Sequence, residues 1–123
     1  MSVKLILPWV CCVRDNRHFI PKMIGRKARL VSSPEYREKK EQAETLFTAQ
    51  WHGNEKLKGD LRLHADCYFP DLRKRDAGNY RKMIGDALSG IAYSDDSQLV
   101  SETWERKGID REQPRIEITL EAI

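Results

Sequence analysis

The chain has 123 residues, 40% of them hydrophobic and 33% charged, with a formal net charge of +3. That length carries one modest core, so a single domain over residues 1–123 is expected. No apolar run approaches the roughly 18 residues of a membrane span, and the apolar start at 3–10 is broken by Lys4 and Pro8 without a cleavage-type ending, so the expected setting is cytoplasmic with no membrane partner.

Residues 3–7 are short and apolar and stop at Pro8, which predicts a strand followed by a turn. The stretch 14–29 contains Pro21 and Gly25 and has little periodicity. It predicts a loop leading into a short strand near 28–31. Ser32 or Ser33 offers an N-cap, with Pro34 in the first turn and Glu35 three residues after Ser32 completing a capping box. Tyr36, Lys40, Ala43, Phe47 and Trp51 then follow one helical face, predicting a helix over about 34–51 that Gly53 and Asn54 stop.

Leu61, Leu63, Ala65, Cys67 and Phe69 alternate with Arg62, His64, Asp66 and Tyr68, the pattern of a half-buried strand ending at Pro70. Tyr80, Met83, Ile84, Ala87, Leu88 and Ile91 form the apolar stripe of a second helix, with Gly90 as its terminator. Asp95 and Asp96 make a turn into a strand of about 98–106. Pro114 opens a last strand in which Ile116, Ile118 and Leu120 alternate with polar residues. The order strand, strand, helix, strand, helix, strand, strand predicts an α+β domain, a mixed β-sheet with two helices on one face.

Cys11, Cys12 and Cys67 are odd in number and two are adjacent, so reduced thiols are expected. His18, His52 and His64 show no zinc-ligand spacing. Charge is more telling in its distribution than in its sum. Residues 14–29 hold Arg14, Arg17, Lys22, Arg26, Lys27 and Arg29 against one acid, Asp15, and a second cluster is Arg73, Lys74 and Arg75. A solvated basic loop is one reading of this, and contact with a phosphate backbone is the other.

Amid that basic surface, Asp76, Asn79, Lys82, Asp86, Asp95 and Asp96 surround one short helix. Divalent metal held by carboxylates lowers the pKa of bound water and neutralises charge at a phosphoryl centre, so clustered aspartates beside cations suit metal-dependent work on nucleic acid. Each has a plainer reading: Asp76 as a turn or N-cap residue, Asp86 as a partner of Lys82, Asp95 and Asp96 as turn acids.

Arg75-Asp76-Ala77-Gly78-Asn79, Lys82, Asp86-Ala87-Leu88 and Asp95-Asp96-Ser97-Gln98-Leu99 resemble, in this order, the signature of the RusA family of Holliday-junction resolvases. Leu7-Pro8-Trp9, Asn16 and Ser33-Pro34-Glu35-Tyr36-Arg37 extend the resemblance over nearly the whole chain. It implies a magnesium-dependent endonuclease, with Mn2+ as a substitute ion. Such an enzyme works as a homodimer on four-way DNA junctions, nicks paired strands in recombination and repair, and takes no small-molecule substrate.

Carried over, Asp76 and Asp96 ligate metal, Lys82 acts with them in catalysis, and Asp86 and Asp95 are further metal candidates. Asn79 supports the site. From their charge, Arg14, Arg17, Lys22, Arg26, Lys27, Arg73, Lys74 and Arg75 are expected to hold the DNA phosphates. Such small resolvases suit bacteria and their prophages. One position departs from the family's pattern: its second aspartate is Gly78 here. A water, a backbone carbonyl, Asp86 or Asp95 is then needed in the coordination shell, or the protein binds junctions without cutting them. A third reading, an RNA-binding module, would use Trp9, Trp51 and Trp104 as stacking platforms.

Overall fold

The computed structural model describes residues 2–14 and 19–123. Strand β1 (Ser2–Pro8) buries Leu5 and Leu7 and turns Lys4 and Ile6 outward. Its edge is covered by α1 (Pro34–Trp51), because Gln50 both donates to and accepts from the Ile6 backbone at 2.8 Å. That side chain does for β1 what a neighbouring strand would do, and blunts an exposed edge.

Strand β2 (Phe19–Ile24) pairs antiparallel with β3 (Lys27–Ser32) around Gly25 and Arg26, where sequence alone predicts a loop until residue 28. Pro21 is tolerated because a two-stranded ribbon consists only of edges. Gly25, at φ 63°, supplies the positive dihedral that a two-residue hairpin turn needs. Cross-strand partners share a face. Phe19, Pro21, Met23, Ala28 and Leu30 therefore lie on one side, and Lys22, Arg29 and Lys27 on the other with Ile20, Ile24 and Val31. Most of this hairpin is exposed on both sides, which is why its sequence lacks the alternation of a half-buried strand.

Helix α1 begins where Ser33 Oγ accepts the Tyr36 N–H at 3.0 Å; Ser33, not Ser32, is the cap. It ends where His52 adopts a left-handed conformation at φ 56°. Its buried face is Tyr36, Ala43, Phe47 and Trp51, as its spacing predicts.

Strand β4 (Leu61–Phe69) buries alternate residues, again as predicted. A turn of 3-10 helix, Ala77–Tyr80, feeds α2 (Arg81–Leu88), which buries Met83, Ile84, Ala87 and Leu88. The apolar stripe from Tyr80 to Ile91 thus overstates the α-helix at both ends, since Tyr80 belongs to the entry turn and the chain leaves the helix at Ser89. Strands β5 (Leu99–Ile109) and β6 (Arg115–Ala122) complete a four-stranded sheet in the order β1-β6-β4-β5. Within this sheet β4 and β5 run parallel while the other neighbours are antiparallel; a parallel pairing requires a crossover, and α2 lies within it.

The fold is the expected α+β domain with a mixed sheet, and the hairpin stands apart as a second, two-stranded sheet. Leu5, Leu7, Leu63, Ala65, Ile116, Ile118 and the apolar faces of both helices form one core. The opposite face of the sheet is charged: Lys4 and Arg115 meet Glu117 at 2.7 and 2.8 Å, Arg115 also meets Asp110 at 2.8 Å, and His64 meets Asp66 at 2.8 Å. All three cysteines are free, as expected.

Candidate active site

Because α2 buries only one stripe, its other side presents Arg81, Lys82 and Asp86 over the start of β5. These residues line a cleft of about 300 Å³ together with Gly85, Asp96, Leu99 and Glu102. The structure therefore brings Lys82, Asp86 and Asp96 to one place, although the two acids lie ten positions apart in sequence.

Each acid is held by its own local device. Asp86 accepts a short hydrogen bond from the Tyr36 hydroxyl, which reaches across from the first turn of α1. Asp96 sits in a 3-10 turn that Gln98 secures from both ends of its amide. Gln98 Oε1 accepts from the Ser94 and Asp95 N–H groups at 2.9 and 3.2 Å, while Nε2 donates to the Leu57 and Gly59 carbonyls at 3.1 and 3.0 Å. Asp95 caps that turn and accepts from Ser97 Oγ at 2.5 Å, which with its backbone bonds keeps its carboxyl below the ordinary range. In this arrangement Asp95 faces its own turn, and Asp96 faces the cleft.

Asp76 is the N-cap of the turn entering α2, accepting the Gly78 N–H at 3.0 Å, and Asn79 N–H returns to its carbonyl at 3.1 Å. It is not among the residues that line the cleft. The entry turn packs against β5, so Asp76 lies on the segment leading into the site.

Glu102 is the lining residue that sequence reasoning missed. Strict alternation from Leu99 would turn Ser101 inward and Glu102 outward. A bulge intervenes: Leu61 pairs with Leu99, yet Arg62 pairs with Ser101 and Leu63 with Glu102, so Val100 is the extra residue. Such a bulge re-aims every side chain after it. Glu102 thereby joins the helix-covered face, accepts the Arg81 guanidinium through both oxygens at 2.9–3.0 Å, and accepts from Trp104 Nε1 at 3.3 Å.

Tyr93 reports the combined field of these acids. It is fully buried and donates to the Gly85 carbonyl at 3.0 Å. Its phenol is pushed well above its ordinary range, first by burial and then by Asp96, Glu102, Asp86 and Asp95 in decreasing order.

A second cleft, of about 270 Å³, opens beside the α2 entry turn and brings Arg14 of the first basic cluster to the second cluster. Arg14 lines it opposite Arg73, Lys74 and Arg75, with Trp9 and Tyr80 as its aromatic wall. Arg75 is partly committed elsewhere, since it pairs with Asp71 at 2.6 Å and lies 5.2 Å above the Trp9 ring. That pairing holds the Asp71 carboxyl down at about 2. Lys22, Arg26 and Lys27 are exposed on the hairpin. Arg17, like Asn16 and His18, lies outside the described residues. Of the three tryptophans, Trp51 is core, as its helical spacing predicts, and donates to the Asn54 carbonyl at 2.8 Å, and Trp9 packs edge-on to Phe69 and Tyr80, so the platforms of the RNA-binding reading are largely structural.

Carboxylates arriving from α2, from the turn before β5 and from β5 itself provide only oxygen donors, which fits a hard divalent cation such as Mg2+ or Mn2+. His64, Asp66 and Glu105 form a separate group with ligand atoms within 4.8 Å of one another. Its side chains lie on the opposite, charged face of the sheet, away from the cleft and from Lys82.

A search of curated proteins returns no match. The family model described as Endodeoxyribonuclease RusA matches residues 14–121, which takes in the acidic cleft, the basic residues of the second cleft and every matched sequence block from Asn16 onward. With that match over nearly its whole length, the chain belongs to the RusA endodeoxyribonuclease family.

Proposed function

We propose that this protein is a metal-dependent endodeoxyribonuclease that resolves four-way DNA junctions by paired nicking, in the service of recombination and repair. The observation that carries this reading is the meeting of Lys82, Asp86 and Asp96 in one cleft, next to a second cleft lined by Arg14, Arg73 and Lys74. An acidic cleft beside a basic one matches the needs of the reaction. Phosphates flanking the break are held by cations, and the scissile phosphate is presented to carboxylates.

In this reading Asp86 and Asp96 hold Mg2+, or Mn2+ in its place, while Asp76 and Asp95 order the adjoining turns. When bound, the ion supplies a nucleophilic water of lowered pKa and neutralises charge at the phosphoryl group. The protein's own contributions are positional and electrostatic. Tyr36 fixes the Asp86 carboxylate, and Gln98 fixes the turn bearing Asp96. The Lys82 ammonium opposes the charge that builds on the phosphoryl oxygens. Arg14, Arg73 and Lys74, with the hairpin cations Lys22, Arg26 and Lys27, grip the DNA backbone without reading bases. Asn79 supports the entry turn. A two-fold homodimer provides the second site that a two-fold junction requires.

The test is incubation of the protein with a four-way junction in Mg2+, in chelator, and as Asp96→Asn and Asp76→Asn variants. The expected result is symmetric paired nicks in Mg2+ that vanish in chelator and in Asp96→Asn. Binding without cutting by the wild-type protein would instead support a junction-binding protein whose metal centre Gly78 has disabled.

A further inference from the structure

We infer that Glu102 supplies the carboxylate that the chain lacks at Gly78, so that the metal-binding set of this cleft is Asp86, Asp96 and Glu102. The inference rests on the functional reading above and deepens it.

Gly78 is not demanded by its backbone. Its φ lies outside the left-handed region, and a Cβ built there would meet only Asp76 Oδ1, at 3.5 Å, an ordinary contact. The turn therefore tolerates a side chain at the position where the family's pattern has its second aspartate. Glu102 is the opposite case, a carboxylate brought to the cleft by a local irregularity of its strand. Were the ladder regular, with Val100 paired to Arg62, Glu102 would face the charged side of the sheet, and Ser101 would take its place. With the bulge it lines the same cleft as Asp86 and Asp96, its side chain only 16% exposed. Bulges beside active sites commonly serve to re-aim one side chain in this way.

Glu102 is also connected to the segment where the acid is missing. Its guanidinium partner, Arg81, is the first residue of α2, three residues beyond Gly78. A carboxylate offers about four lone-pair sites, and three donors, Arg81 Nε and Nη2 and Trp104 Nε1, already reach this one, which leaves one site for a cation. The Arg81 side chain is 62% exposed and faces the open mouth of the cleft. It keeps the half-buried carboxylate ordered and compensated, and the same guanidinium suits a phosphate oxygen when DNA is bound.

The experiment measures Mn2+ binding to the DNA-free protein by the broadening of the Mn2+ electron-paramagnetic-resonance signal, with thermal denaturation as a folding check. Four proteins are compared: wild type, Asp96→Asn, Glu102→Gln, and the double variant Gly78→Asp with Glu102→Gln. Loss of a direct ligand should weaken Mn2+ binding about tenfold or more in Glu102→Gln. The double variant should recover to within a few-fold of wild type, because it returns a carboxylate to the turn that leads into Lys82 and Asp86. If Asp96→Asn loses Mn2+ while Glu102→Gln keeps it, Glu102 is no ligand, though the cleft remains the metal site. If Glu102→Gln loses Mn2+ and Gly78→Asp does not restore it, Glu102 acts through Arg81 and the fold, and the inference fails. If neither single variant changes binding, the cleft is not the metal site and the functional reading fails with it.

Discussion

At the scale of single residues, the assignment separates acids that share motif positions. Asp95 and Asp96 are neighbours, yet one closes a turn and the other faces the cleft. Asp96→Asn should therefore abolish junction cleavage, and Lys82→Ala should slow it about a hundredfold or more while leaving junction binding nearly intact. Single-turnover cleavage alongside gel-shift titration distinguishes the two effects. Tyr36 acts one step further out. Tyr36→Phe removes the hydroxyl that holds Asp86 and should lower cleavage about tenfold, recovering in part at high Mg2+. Motif spacing made Lys82, Asp86 and Asp96 legible in the sequence. Glu102 was not, because alternation counted from Leu99 assigns it to the wrong face, and one unpaired residue reverses that assignment.

At the scale of elements, the parts that bury one clean face were read correctly from periodicity: α1, β4 and β6 each match their predicted stripe or alternation. The hairpin was half missed for the converse reason, since a ribbon open on both sides leaves no alternation to read. Its basic side also sets Lys22 directly opposite Arg29, a like-charge pair that is unfavourable alone and suits a polyanion. Replacing Lys22 and Lys27 by alanine should weaken junction binding evenly across sequences and reduce the log-log salt slope by about one for each phosphate left unneutralised. Binding titrations from low to moderate salt read that slope directly.

The turn before β5 depends on Gln98 in a similar way. Gln98→Ala strips one carbonyl acceptor from two N–H groups and two donors from loop carbonyls. It should cost about 1–3 kcal/mol in urea denaturation and lower cleavage by displacing Asp96.

At the scale of the molecule, the two faces of the sheet do different work. One carries the core, the helices and the cleft; the other is a lattice of ion pairs. Asp71, Asp95, Asp110 and Glu117 are all held below their ordinary range, by Arg75, by Ser97, by the Gln113 N–H with Arg115, and by Lys4 respectively. Each binds its proton less readily when folded than when unfolded. Their stabilisation is complete above the ordinary carboxylate range and drains away as pH falls toward the depressed folded values. Urea midpoints should hold steady from neutral pH to about pH 5 and then drop steeply, and Asp71→Asn should soften the drop.

The central claim is that the cleft between α2 and the start of β5 holds the divalent cation used in cutting DNA. The most direct test is anomalous scattering from crystals soaked in Mn2+. The claim predicts a peak within coordination distance of the Asp86 and Asp96 carboxylates. A peak confined to His64, Asp66 and Glu105 on the opposite face, with none in the cleft, would contradict it.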